Sequence, residues 1–196
     1  MLNNCKHFLK IFSFIILFSH CYQTWAKAET IMDLEIEGIS IGDSLLKYFS
    51  EEEILSSKAD WYSDKTYSTS MLSLNNYEIF KDIDFSYLSS DKKYKIVSIS
   101  AVHGDSNEDN CRLIQTEIVD DLTKMFNTNV IKDTLIHPVD KSGKSKVEVS
   151  DFDFVDGSRV SVQCFFFSNQ VNYMSGLKLS LSNLNYIDWV STKAYD

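Results

Sequence analysis

The sequence predicts an α+β fold in two layers, with antiparallel β-meanders packed against helices. Residues 146–183 alternate apolar and polar side chains in three runs separated by turn residues, as antiparallel strands do. Residues 107–126 instead space their apolar side chains three or four apart, which is typical of one helix face. The predicted order is helix, three strands, helix, three strands, helix. That order also suggests two related halves, each a helix followed by a meander.

The N-terminal segment has the organisation of a secretory signal peptide. Lysines flank an apolar run of about eight residues, whereas a membrane-spanning helix needs roughly 20. The small-residue pattern that ends at Ala28 predicts cleavage there, so residues 29–196 would form a single domain in the periplasm or outside the cell. One alternative is a lipoprotein site at Cys21, although His20 occupies the position that requires a small residue. The other is an uncut signal anchor.

Cleavage would leave a strongly acidic chain. The first 28 residues hold three lysines and no acidic residue, so the formal net charge would change from −9 to −12. Such a charge repels phosphate backbones and anionic lipid head groups, and the sequence therefore predicts no nucleic-acid partner. No later segment is long and apolar enough to cross a membrane. The partner to expect is a protein or a small-molecule ligand.

Short elements are expected ahead of the first meander. Weak alternation at 33–37 predicts a short edge strand, and residues 44–49 predict a short helix. Ser50 and Glu53 have the spacing of a capping box, in which the serine oxygen accepts from the Glu53 amide. We therefore expect a second helix that continues to about Lys58.

The first meander and the long helix follow. Residues 71–87 predict two strands, and residues 94–102 predict a third with Val97, Ile99 and Ala101 on one face. The next segment predicts a helix over 107–126. Its apolar stripe is Cys111, Ile114, Ile118, Leu122 and Met125.

Two cysteines remain after export, Cys111 on the long helix and Cys164 in the second meander. An even pair in an oxidising compartment predicts a disulfide bond between them. Closing a loop of that length should stabilise the fold by roughly 4 kcal/mol in the chain-entropy model. Two free buried thiols are the alternative.

The second meander contains the strongest hairpin pattern in the chain. A three-residue loop at 155–157, with Gly157 in the left-handed conformation, places Phe152 opposite Val160. A bulge at residues 150–151 would then bring the apolar residues of both strands to one face. That expected face consists of Val147, Val149, Phe152, Val160, Val162, Cys164 and Phe166.

The remaining elements are predicted from shorter patterns. Residues 130–136 are a candidate strand and residues 140–144 a polar loop. Residues 177–181 alternate leucine with polar side chains and predict a half-exposed strand. The chain should close with a helix over 184–194, capped by Asn183.

Residues 42–45 spell Gly-Asp-Ser-Leu, the block that names the GDSL hydrolases. This resemblance implies that Ser44 is a nucleophile, which would need a histidine base. The family places an Asp-x-x-His pair near its C-terminus, whereas here Thr134 stands three residues before the last histidine, His137. The family's Gly-x-Asn-Asp block is missing as well. Because Gly-Asp-Ser recurs at 104–106, we interpret both copies as turns that cap a helix.

Two further motifs are incomplete. Residues 143–145 resemble the end of a phosphate-binding loop, but Pro138 stands where its first glycine should be. Residues 105–116 have partial calcium-loop spacing, but they lack the glycine and the glutamate of the sixth and twelfth positions. Two histidines are too few for a zinc site. We therefore assign no catalytic, cofactor-binding or metal-binding residue from the sequence.

Residues 38–54, GISIGDSLLKYFSEEEI, resemble the opening of a group of small exported proteins from marine alphaproteobacteria. Residues 91–96 and 140–145 are similar to that group too, so the likeness covers most of the chain after residue 28. The resemblance implies export and a shared domain, and it assigns no activity and no site residues.

The hypothesis that fits these observations is a non-enzymatic binding or interaction module in the periplasm. The alternatives are a GDSL-like serine hydrolase that uses Ser44 and a structural component of the envelope. Six aromatic residues either line a ligand cleft or fill a core: Trp61, Tyr62, Tyr67, Tyr173, Tyr186 and Trp189.

Overall fold

A computed structural model describes residues 30–73, 80, 82–104, 107–126 and 129–196. The predicted signal peptide and its cleavage site lie outside these described residues. The α-helices are α1 (Glu51–Ser56), α2 (Glu108–Phe126) and α3 (Leu184–Thr192). The strands are β1 (Glu35–Ile36), β2 (Ile39–Ser40), β3 (Tyr67–Leu72), β4 (Asp82–Leu88), β5 (Ile96–Gly104), β6 (Ile131–Ile136), β7 (Lys146–Asp153), β8 (Arg159–Phe166) and β9 (Gly176–Ser182).

Strands β3 to β9 form one antiparallel sheet in the order β3-β4-β5-β9-β8-β7-β6. The order is symmetric about the β5–β9 pair as far as β3 on one side and β7 on the other, since β5 is followed outwards by β4 and β3, and β9 by β8 and β7. Strand β6 is an addition at one edge, so α2 is followed by four strands where the sequence predicted three with 130–136 as a candidate. The α+β prediction is confirmed.

One face of this sheet, here called the inner face, packs against α1 and α2. Helix α1 contacts β3, and α2 lies against β8 and β9. The fully buried side chains of the inner face include Phe85, Ile99, Phe152, Val160, Val162 and Cys164. The opposite face is called the outer face, and α3 covers one end of it. Burial of the inner face supplies most of the apolar stabilisation.

The predicted disulfide joins α2 to the middle of the sheet. Cys111 and Cys164 are bonded, with their Cα atoms 6.0 Å apart, and both side chains are buried. The prediction of this pair is therefore confirmed, and α2 is covalently attached to β8.

The buried face of α2 differs from the predicted stripe. Cys111, Gln115, Val119 and Phe126 are buried, whereas Ile114, Ile118, Leu122 and Met125 pack only partly buried beside them. The Gln115 amide donates to the backbone oxygens of Glu148, at 3.0 Å, and Val162, at 2.9 Å. Because these two bonds satisfy its amide, the polar Gln115 side chain can be buried at the centre of the interface between α2 and the sheet.

The β7–β8 hairpin confirms the predicted loop. Phe152 lies opposite Val160, and Gly157 has φ +78°. A Cβ on Gly157 would also approach the Leu184 side chain to within 2.9 Å. Both the positive φ and this close approach favour glycine at the position.

The predicted bulge at residues 150–151 is wrong, because β7 pairs with β8 in an unbroken register. Val147 and Val149 consequently lie on the outer face, where they are 6% and 7% exposed. Glu148 and Ser150 take their place on the inner face. Glu148 can lie on the inner face because it is bonded to Arg112, so no unpaired charge is left under α2.

The predicted caps are confirmed. The Glu53 amide donates to the Ser50 hydroxyl at 3.2 Å, and the Ser50 amide donates back to the Glu53 carboxylate at 2.8 Å. Helix α1 ends at Ser56, two residues before the expected limit. Asn183 caps α3 through the Tyr186 amide. Among the described helices, none combines the length and the apolar character that crossing a membrane requires.

Candidate functional site

The outer face is polar across its three middle strands. Each strand alternates, so the residues between the buried apolar ones point outwards. The antiparallel register sets Ser98 opposite Ser182 and Ser100 opposite Ser180. Their hydroxyl oxygens are 2.7 Å and 3.0 Å apart, respectively. The result is a ladder of bonded serines where β5 meets β9.

The ladder continues across β8 to β7. The Gln163 amide donates to the Ser161 hydroxyl at 3.0 Å, and Ser161 donates to the Asp151 carboxylate. Arg159 forms ion pairs with Asp151, at 3.1 Å, and with Asp153. Burial raises the pKa of Asp151, and the arginine beside it compensates for the lost hydration of the charged form. One guanidinium is therefore shared by two carboxylates at this end of the face.

Lys178 is different, because it has no such partner. It lies on β9 between Val102 of β5 and Gln163 of β8. Within the described ranges its amine makes no ion pair within 4.0 Å and no hydrogen bond. Burial lowers the pKa of Lys178, and the charge of Asp84 on β4 only partly opposes that shift. A desolvated amine without an adjacent anion is an unstable arrangement.

A cluster of rings adjoins this lysine, and it is named here the ring cluster: His137, Phe165, Phe167 and Tyr173. Phe165 and Phe167 stack with centroids 5.8 Å apart, and the His137 ring is 5.1 Å from Phe167. Tyr173 adds a ring 5.3 Å from Phe167 and is 59% exposed. Burial lowers the pKa of His137, and the positive charge of Lys178 lowers it further. The lysine and the ring cluster therefore form one site.

Four of the six aromatic residues considered above fill a core. Tyr62, Tyr67, Tyr186 and Trp189 contact one another between α3 and the β3–β4 end of the outer face. The Tyr186 hydroxyl bonds to those of Tyr62, at 3.1 Å, and Ser86, at 3.0 Å. Trp61 is exposed at the margin of this core. Only Tyr173 belongs to the ring cluster.

Ser44 caps a short 3-10 helix, Leu45–Lys47, as the turn interpretation predicts. Its hydroxyl accepts from the Leu46 amide at 3.3 Å and donates to the backbone oxygen of Lys93. Ser44 pairs with Lys95, just before β5, whereas His137 follows β6. These strands are four positions apart in the sheet, or roughly 19 Å at the usual spacing. The structure does not bring the serine and the last histidine together.

Ser44→Ala should therefore lower the free energy of unfolding by about 1 kcal/mol, because a helix amide loses its acceptor. Urea unfolding measures this change, with Ser73→Ala, an exposed serine outside any helix, as the control. Hydrolysis of p-nitrophenyl acetate by the purified protein should be the same in both variants. Selective loss of that hydrolysis in Ser44→Ala would instead favour the hydrolase.

The loop that resembles a phosphate-binding loop is organised by its own carboxylate. Asp140 is buried and accepts from the amides of Ser142, at 2.8 Å, and Ser145, at 3.0 Å. It also accepts from the Ser145 and Ser168 hydroxyls, both at 2.7 Å. These bonds hold the pKa of Asp140 far below its usual range. The amides that a phosphate would need are already taken.

No cluster of three or more histidine, cysteine, aspartate or glutamate side chains that could hold a metal ion occurs in the described part of the chain. Asp105, the first residue of the calcium-like spacing, lies outside the described residues. Comparison with models of protein families, with curated proteins and with solved structures finds no match to this chain. The site is accordingly interpreted from its own geometry.

Proposed function

We propose that the protein is an exported binding module that holds a small anionic ligand at Lys178. The observation that carries this proposal is the partly buried amine, which pairs with no carboxylate among the described residues. The ring cluster beside it favours a ligand whose anionic group, such as a carboxylate, is attached to an aromatic or apolar body.

Desolvation of the amine favours the binding of an anion. The positive charge of Lys178 has lost hydration, and the charge of Asp84 only partly compensates for that loss, as the lowered pKa of the amine indicates. A bound carboxylate would supply that anion and would gain a charge-assisted hydrogen bond. Binding should therefore raise the pKa of the amine. Gln163 and the bonded pair Ser100–Ser180 lie beside it and offer further donors to a second carboxylate oxygen.

The ring cluster offers an apolar surface to the rest of the ligand. Phe165 lies on the outer face two residues after Gln163, which places the ring cluster next to the lysine. Exposed aromatic surface such as Tyr173 gains free energy when another ring or an aliphatic group covers it. Ligand sites typically combine such apolar walls with a few converging polar groups.

Export is supported by the disulfide, since a bond such as Cys111–Cys164 persists in oxidising compartments. The N-terminal signal pattern and the acidic charge agree with that location. Small metabolites, and not nucleic acids, are the anions that an acidic protein with one local cation can accept.

Calorimetric titration with benzoate tests the charge requirement. Lys178→Met keeps most of the side-chain volume and removes the amine, so benzoate affinity should fall about tenfold or more. Lys141→Met, at an exposed loop lysine, should leave the affinity unchanged. Benzylamine has the same ring and the opposite charge, and it should not bind. Equal binding of benzoate to Lys178→Met and to the unaltered protein would refute the assignment.

Tyr173→Ser tests the ring requirement separately. Because Tyr173 is 59% exposed, its removal should not disturb the fold. Benzoate affinity should fall severalfold, whereas the weaker affinity for acetate should stay the same. If acetate and benzoate weaken equally, the ring cluster does not contact the ligand.

A further inference from the structure

The two edge strands of the large sheet differ in whether their outward backbone groups are hydrogen-bonded to another segment. At the β3 edge, residues 57–59 run alongside: the Ala59 amide donates to the Thr69 oxygen at 2.8 Å, and the Met71 amide donates to the Ser57 oxygen at 3.0 Å. At the opposite edge, β6 pairs with β7 and with no other described strand. All six residues of β6 are exposed. An uncovered edge offers its amides and carbonyls to another strand.

One edge amide of β6 is satisfied by a neighbouring side chain. The Thr134 N–H donates to the Asp133 carboxylate at 2.7 Å, so this N–H points away from the β7 ladder. By strand alternation, Lys132 and Ile136 present their backbone groups in the same direction. An incoming strand would replace the Asp133 carboxylate with a backbone carbonyl.

A groove runs beside this edge, between β6 and α2. It encloses about 560 Å³. Its helix side is formed by Arg112, Thr116 and Val119, and its strand side by Lys132 and Thr134. An open strand edge next to a groove formed with a helix suits peptide recognition by strand addition, because alternate side chains of the peptide can enter the groove.

Lysines outnumber acidic residues over residues 131–146 of this hairpin, and the exposed Asp133 of β6 is an acidic residue that also lines the groove. Arg112 is occupied, with Glu148 at 2.9 Å and Glu108 at 3.2 Å. Four exposed lysines of the β6–β7 hairpin form no ion pair in the part of the chain described here: Lys132, Lys141, Lys144 and Lys146. Lys132 is the one that lines the groove. Acidic side chains entering the groove would therefore be favoured.

The other side of β6 carries two apolar side chains, with the exposed Asp133 carboxylate between them. Ile131 and Leu135 point to the outer face and are half exposed. A strand added to β6 would place its second set of side chains beside them. Apolar side chains would be favoured there, since cross-strand apolar pairs stabilise a sheet by roughly 0.2–1 kcal/mol each.

We propose that β6 is a docking edge for an extended segment of another protein, in which acidic residues alternate with apolar ones. The segment continues the sheet beyond β6, with its acidic side chains in the groove beside Lys132 and its apolar side chains beside Ile131 and Leu135. This surface is distinct from the Lys178 site and does not depend on the function proposed for it.

The test uses a short fluorescent peptide that alternates valine with glutamate, and a matched peptide that alternates valine with lysine. Anisotropy should show binding of the glutamate peptide only. Thr134→Pro removes the outward N–H at an edge position where proline is tolerated, and it should weaken binding about tenfold or more. Lys132→Glu should weaken it comparably. Lys92→Glu, in the exposed β4–β5 turn, changes the net charge equally and should have little effect.

Thermal unfolding of each variant shows whether the fold is kept. A folded Thr134→Pro that binds the glutamate peptide as before would overturn the proposal, as would equal binding of the lysine peptide. Sedimentation velocity provides the remaining outcome. Dimers of the unaltered protein that Thr134→Pro abolishes would assign the edge to a second copy of this chain and contradict the peptide assignment.

Discussion

Replacing Cys111 and Cys164 together by alanine should lower the free energy of unfolding by about 4 kcal/mol. The bond closes a loop with a sequence separation of 53 residues, and removing that constraint gives the unfolded chain its largest gain in conformational entropy. Since typical domains are stable by only 5–15 kcal/mol, the variant should lose a large part of its stability. Its folded state should keep the same secondary structure.

Urea unfolding, followed by circular dichroism, measures this effect for the oxidised protein, the reduced protein and the double variant. The reduced protein and the double variant should unfold at similarly lowered midpoints. Mass spectrometry after alkylation supplies the control, because the native protein should contain no alkylatable thiol at either position. A loss below about 1 kcal/mol would mean that α2 is held to the sheet mainly by packing.

Phe152→Ala should lower the free energy of unfolding by about 3–5 kcal/mol. The Phe152 side chain is 0% exposed and lies opposite Val160, with its ring 5.9 Å from that of Phe126 at the end of α2. Removing the ring leaves a cavity where the helix, β7 and β8 meet. A cavity of this size cannot collapse without moving the backbone of all three elements.

The matched control is Val155→Ala at the tip of the same hairpin, where the side chain is fully exposed. It should change the free energy of unfolding by no more than about 0.5 kcal/mol. Urea unfolding of both variants compares a core position with a loop position of one hairpin. A small effect of Phe152→Ala would show that the hairpin register described here is incorrect.

The features that could be predicted from the sequence depend on local chemistry. Gly157 specifies the hairpin loop because only glycine enters the left-handed region without strain. The Ser50–Glu53 capping box and the Asn183 cap depend on side chains three residues from the amides they serve. The disulfide followed from counting the cysteines that remain after the predicted signal peptide.

The features that could not be predicted depend on contacts between distant segments. Strand β7 buries side chains on both faces, so its apolar pattern does not show which face carries Val147 and Val149. The predicted bulge would have placed all the apolar residues of β7 on one face. No bulge is required, because the ion pair with Arg112 allows Glu148 to lie on the inner face. Gln115 was missed because only the tertiary structure provides its two backbone acceptors.

Lys178 was missed for a related reason. In the alternation of β9 it has the pattern of an ordinary solvent-facing lysine, and nothing local distinguishes it from Lys141 or Lys144. Only the pairing of β9 with β8 places it beside Gln163 and the ring cluster. The sequence indicated the aromatic character of residues 165–167, but the partner strand was needed to place a cation beside them.

The lowered pKa of Lys178 has a consequence for stability. In the unfolded chain the amine has its ordinary pKa of about 10.4 and binds a proton at pH values where the folded amine has released one. The contribution of Lys178 to stability should therefore increase as the pH rises from the folded pKa towards about 10.4. Lys178→Met should abolish this increase.

The most direct test of the account is a pH titration of the Lys178 side-chain nitrogen by NMR, with and without benzoate. In the free protein this amine should titrate below the ordinary lysine value, and benzoate should raise its pKa towards or above that value. Other lysines, such as Lys141, should not respond to benzoate. An amine that titrates at the ordinary value, and that benzoate leaves unchanged, would contradict the assignment of Lys178 as the anion-binding group.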